Sequence, residues 1–180
     1  MVGGPDWINA AKYDISAITE GLTPTRAQYR TMLRHLLEER FSLRAHQETR
    51  EVDVYDLVFS KEDAVLGAGI RPSKADCKAL AASGKGRCGW SASGFRHTAT
   101  AQPILFLITQ LFGSVDRRIV DRTGLKGVFD WELQLAGDPN DPSAPSVFTA
   151  LQEQLGLKLV PNRGMLEVVV IDHIEPPTPD

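Results

Sequence analysis

The chain has 180 residues, 42% of them hydrophobic and 24% charged, with a formal net charge of −3. That is room for one substantial domain, and the composition excludes a disordered chain, a collagen-like repeat and a coiled coil. The slight acidity gives no electrostatic reason for a nucleic-acid partner or an anionic membrane surface, and no run approaches the roughly 20 apolar residues of a membrane-spanning helix.

The start, Val2-Gly3-Gly4-Pro5-Asp6-Trp7, has no charged-then-apolar leader and reads as an interior stretch. An upstream segment is expected to precede it. Tyr13-Asp14-Ile15-Ser16-Ala17 alternates as a short strand does. Thr23 with Pro24, or the overlapping capping box of Thr25 with Gln28, opens a helix over Thr25–Phe41. Its apolar residues Tyr29, Met32, Leu33, Leu36 and Leu37 form one stripe, which predicts packing against a sheet. Leu43–Arg50 and Val54–Phe59 read as two strands.

From Ser60 to Thr100 the periodicity fails and Gly, Ser, Ala and Lys accumulate, which predicts a long irregular loop. Cys77 and Cys88 lie in it, either as a bridge that pins it or as two unrelated thiols. Trp90 and Phe95 are expected to anchor its far end to the core, an exposed binding role being the other reading. A core helix follows over Gln102–Phe112, apolar on most sides and expected to be the most buried helix.

Arg118–Asp121 reads as a short strand, and Arg122–Gly127 as a turn. In the next strand Phe129, Trp131, Leu133 and Leu135 alternate with Asp130, Glu132 and Gln134, so one face is buried and the other wet. A proline-rich connector, Asp138–Pro145, leads to a helix over Ser146–Leu155 that Gly156 ends. Leu157–Val160 and Leu166–Ile174 complete the chain as a hairpin, with Gly164 at the left-handed position and the second strand central in its sheet.

These elements give an α+β fold in a single domain, 1–180, with a duplicated β-α-β-β unit in residues 13–59 and 128–174. An irregular loop, 60–100, and the core helix, 102–113, join the two copies. Phe41-Ser42-Leu43 aligns with Leu157-Lys158-Leu159, and Asp56-Leu57-Val58 with Asp172-His173-Ile174. Both helices are expected on one face of mainly antiparallel sheet.

No catalytic, cofactor-binding or metal-binding residue stands out. His35, His46, His97 and His173 lack ligand spacing to one another, and the two cysteines match no zinc motif. Gly84-Lys85-Gly86 lacks the spacing of a phosphate-binding loop, and Asp121 with Arg122 reads as a turn. Nucleophile–histidine pairs, Cys88 with His97 or Ser91 or Ser93 with His97, have no third orienting group in view.

As a set, several motifs resemble those of the acidobacterial soil-associated protein family. They are Gly3-Gly4-Pro5-Asp6-Trp7, Arg40-Phe41-Ser42-Leu43, Val120-Asp121-Arg122-Thr123-Gly124-Leu125-Lys126-Gly127, Ala150–Leu159 and Val170-Ile171-Asp172-His173. The resemblance implies an exported domain of unknown function from soil bacteria, periplasmic or secreted, whose signal peptide and amino-terminal strand-helix segment lie upstream. It carries over no catalytic residue. Its oxidising setting favours the Cys77–Cys88 bridge. The function expected is a non-catalytic extracytoplasmic module that binds a protein, a cell-wall component or a small molecule through Trp90, Phe95, His97 and Arg122. A secreted hydrolase is the alternative.

Overall fold

Helices and mainly antiparallel strands, each built from its own stretch of chain, make this an α+β protein in the computed structural model. It describes residues 2–16, 18, 23–83, 88–135 and 145–177. Ala17, Gly84-Lys85-Gly86 and most of the 138–145 connector lie outside these. The strands are β1 (Val2–Gly3), β2 (Arg44–Phe59), β3 (Ile70–Pro72), β4 (Gly89–Ser93), β5 (Arg96–Gln102), β6 (Arg118–Asp121), β7 (Phe129–Gln134) and β8 (Leu157–His173). The helices are α1 (Arg26–Arg40), α2 (Cys77–Ser83), α3 (Ile104–Gln110) and α4 (Val147–Ala150), which continues as a wider π turn over Leu151–Leu155. One sheet runs β1-β8-β2-β6 and the other β3-β7-β5-β4. In the first, β1–β8 and β2–β6 are parallel.

The chain divides into two compact units, residues 1–51 with 165–180 and residues 52–164. In the first, α1 is opened by Thr25, whose hydroxyl accepts the Gln28 N–H while the Gln28 side chain accepts the Thr25 N–H. The capping box therefore sets the helix start. α1 buries no residue, against the expectation from its stripe: Tyr29, Met32 and Leu33 are exposed, and Leu36 and Leu37 are half-buried. Where β2 passes β8, His46 Nδ1 lies 2.8 Å from Asp172 Oδ2 and the Glu175 N–H donates to the Phe41 carbonyl at 2.8 Å. Phe41 closes this small unit by packing edge-on against Tyr13.

The second unit holds the main core, built from Leu57, Ile70, Leu107, Phe129, Trp131, Leu133, Leu151, Leu155 and Leu157. The alternation in β7 is as expected, Phe129, Trp131 and Leu133 being buried. The most buried helix is the last: Ala150, Leu151 and Leu155 are fully enclosed. α3 instead buries Ile104 and Leu107 and leaves Leu105 exposed, because it packs one face only. The carbonyls at the end of the last helix are capped by a loop. Gly69 N–H donates to Gln154, Gly67 N–H to Leu155 and Ser60 N–H to Gly156, at 2.8, 2.9 and 2.8 Å.

Three other expectations change. Residues 60–100 are not a single irregular loop but contain β3, α2, β4 and most of β5. β4 is the outermost strand of its sheet and largely exposed, so it lacks the apolar alternation that marks a half-buried strand. The hairpin around Gly164 is absent: Leu157–His173 is one strand, with β1 opposite only Val170 and Ile171, so Pro161 falls where an edge is open. The duplicated unit is not found as drawn. Tyr13–Ser16 is irregular, and the two closing strands of each copy are one long strand, β2 or β8. A helix followed by a long strand is what recurs.

Candidate functional site

The candidate site is built on the β4–β5 hairpin, and a covalent bond fixes one end of it. Cys77 opens α2, Cys88 immediately precedes β4, and the two form a disulfide with their Cα atoms 5.4 Å apart. The Asp76 carboxylate accepts the Lys78 and Ala79 N–H groups at 3.0 Å and so begins α2. At the far end, the Leu135 N–H donates to the Phe95 carbonyl at 2.9 Å, holding the Gly94–Phe95 turn to the end of β7.

Strand register decides which side chains share a face. Trp90 pairs with Ala99, Ala92 with His97, Ser91 with Thr98 and Ser93 with Arg96. Cross-strand partners project to the same side, so Trp90 and His97 lie together on the face that carries Trp131 and Leu133 on β7. Trp90 stands beyond the core on the outermost strand, 44% exposed, with its ring 6.0 Å from that of His97. Phe95, at the turn, is 48% exposed. The expected anchoring of Trp90 and Phe95 in the core is therefore not what the fold does with them. Arg122 belongs to another element. It follows β6, with its Nε 3.8 Å from Asp56 Oδ1, a buried oxygen with no hydrogen-bond donor.

The opposite face of the same sheet is a polar cleft of about 770 Å3 between β3, β7 and β5. Arg96 grips Glu132 through two hydrogen bonds of 2.8 and 2.6 Å, and Arg71 lies 3.4 Å from Asp130. The Arg96 hydrogen bonds, with its charge, hold the Glu132 carboxyl below its ordinary value against some burial, and the same contact raises Arg96. Burial opposes ionisation of Asp130, yet hydrogen bonds from Ser73 and the Ala101 N–H, with the Arg71 charge, leave its carboxyl lowered. Both acids are ionised at neutral pH and paired, an arrangement suited to a sheet ladder and ill suited to a proton donor. The Gln154 side chain closes one end through two hydrogen bonds to the Gln134 backbone, at 2.8 and 2.9 Å.

The nucleophile pairs do not form. Cys88 is consumed in the disulfide. Ser91 and Ser93 alternate to the face away from His97. His46 lies beside Asp172 and Glu48, His173 beside Glu175 and His35 beside Glu38. Among the described residues no cluster of three or more His, Cys, Asp or Glu has the geometry to hold a metal ion, and no helix is long and apolar enough to cross a membrane.

The carboxylates of the cleft were readable as the wet face of β7. Their arginine partners were not, because Arg71 and Arg96 stand in the stretch that reads as a loop. Compared with known proteins, residues 1–174 match a family described as a protein of unknown function, DUF3738. No curated protein and no solved structure matches the chain.

Proposed function

The chain belongs to the DUF3738 family of proteins of unknown function, and within it we propose a non-catalytic extracytoplasmic module that binds a saccharide of the cell wall through the β4–β5 hairpin. The observation that carries this reading is the exposure of Trp90 and Phe95 on a hairpin held by a disulfide at one end and by the Phe95 carbonyl at the other. An aromatic ring held in place costs little conformational entropy on binding, and its flat face suits the apolar face of a sugar ring. His97 beside Trp90 supplies a polar group to the same face. Arg122, on a separate element, is left out of this surface.

The disulfide supports an oxidising compartment. The resemblance to the acidobacterial soil-associated family supports an exported protein of a soil bacterium. A hydrolase built from Ser91 or Ser93 with His97 has no comparable support, since the ladder sends them to opposite faces.

The test is co-sedimentation with insoluble peptidoglycan. Trp90→Ala and Phe95→Ala should each lower retention about tenfold, the scale of a lost aromatic contact at a binding site, with the melting temperature unchanged. Retention equal to that of the parent chain, no retention of the parent at all, or release of soluble sugar fragments each overturns the proposal.

A further inference from the structure

We propose that the cleft between α3 and the open edge of β6 docks the carboxyl-terminal end of an extended peptide. This site lies within the second unit and is independent of the hairpin. The cleft holds about 430 Å3, inside the range of roughly 300–1,000 Å3 usual for ligand sites. One wall is Leu105, Ile108 and Phe112. Leu105 and Phe112 are 63% and 72% exposed, although α3 buries Ile104 and Leu107 on its other side. Val115 and Ile119 also line it.

Two further features identify the occupant. Among the described residues β6 is outermost in its sheet and pairs with β2 alone, from Val54 opposite Arg118 to Leu57 opposite Asp121. The Arg122 N–H donates to the Leu57 carbonyl at 3.0 Å. In a parallel ladder alternate residues turn their backbone to the partner, so Arg118 and Val120 share that orientation with Arg122. Ile119 therefore turns its N–H and carbonyl to the open edge, where an added strand would pair.

The second feature is charge. Arg118 stacks over the Phe112 ring at 5.4 Å, and Arg117 over the Tyr55 ring at 5.3 Å. Arg117 has Asp116 at 3.7 Å, whereas no carboxylate among the described residues lies in ion-pair range of Arg118. A guanidinium already oriented by a ring, with no carboxylate partner among the described residues and at the rim of an apolar cleft, presents the geometry that grips a carboxylate. An extended peptide with an apolar last residue meets all three requirements. Its side chain fills the space beside Leu105 and Phe112, its backbone pairs with Ile119, and its terminal carboxylate meets Arg118.

Fluorescence anisotropy of the 180-residue chain with fluorescein-labelled Ala-Ala-Ala-Val-Leu tests this, the peptide being used as free acid and as carboxyl-terminal amide. The acid should bind saturably, and the amide about tenfold more weakly or worse, the scale of a charge-assisted contact. Arg118→Gln should erase that difference, and Leu105→Glu should abolish binding. Both side chains are exposed, so circular dichroism and melting temperature should match the parent. Trp90→Ala should bind the peptide unchanged. Equal binding of acid and amide, or an Arg118→Gln variant that binds like the parent, overturns the proposal. So does decanoate that displaces the probe as well as unlabelled peptide does, which would assign the cleft to acyl carboxylates.

Discussion

A β-carbon added at Gly67 would collide with the backbone carbonyl oxygen of Gln154, and one at Gly156 would lie 2.6 Å from the Gly67 nitrogen and 2.8 Å from the Val65 carbonyl oxygen. Gly156 also has φ +68°, where a side chain is strained. These glycines let the loop reach the end of the last helix and satisfy its carbonyls. Gly67→Ala should therefore cost about 1–3 kcal/mol, the range for forcing atoms into a filled space, read as a lower urea midpoint at unchanged slope. At the same scale, Glu132 shows how a surface pair enters stability. Its ordinary value is 4.5 and Arg96 holds the folded carboxyl lower. The contribution is thus complete above pH 4.5 and is lost as pH falls through the depressed folded value. Asp130, lowered from 3.8, adds in the same direction at lower pH. Glu132→Gln should flatten the fall in melting temperature below pH 4.5, and an unchanged acid limb would show that the pair adds nothing.

Among the elements, the hairpin depends most on a constraint from outside its own ladder. Among the described residues β4 pairs on one side only, and its own residues are largely exposed, so little apolar burial holds it. The Cys77–Cys88 bridge closes a short loop across α2, with a sequence separation of 11. Replacing both cysteines by serine should cost about 2–3 kcal/mol in the chain-entropy account. Faster amide exchange should appear in α2 and β4 while β7 keeps its protection. Uniform loss across the molecule would mean that the bridge acts on global stability and does not hold the hairpin. Because Trp90 and Phe95 belong to this element, the same variant should also weaken retention on peptidoglycan.

Taken as a whole, the two units differ in how much apolar surface they enclose. In residues 52–164 a continuous core runs from Tyr55 to Leu159. In residues 1–51 with 165–180, Phe41 is the buried hydrophobic residue among those described, while Tyr13, Ile15, Tyr29, Met32, Leu33 and Met165 are exposed. Burial of apolar area at about 25 cal/mol/Å2 is the main favourable term in folding, so the first unit should open at lower free energy. Native-state hydrogen exchange should find α1 amides exchanging through openings well below the global value, and β7 amides only through global unfolding. Equal protection in both would contradict this.

Much of the local structure was legible in the sequence alone, because short-range physics determines it. The capping box of Thr25 and Gln28, the alternation in β7, the strand Arg118–Asp121 and the helix stop at Gly156 each depend on neighbours within a few residues. Other features required partners far along the chain. Tyr29, Met32 and Leu33 read as a core stripe, but periodicity states which residues share a face and is silent on whether anything covers it. Trp90 and Phe95 read as anchors, but register and the outermost position of β4 left them exposed. Gly164 read as a turn, but the strand β2 beside β8 keeps the backbone extended through it. The arginine partners of Asp130 and Glu132 were hidden for the same reason: a charged residue reveals its role only when pairing of distant strands sets a carboxylate beside it, a choice made by the tertiary structure.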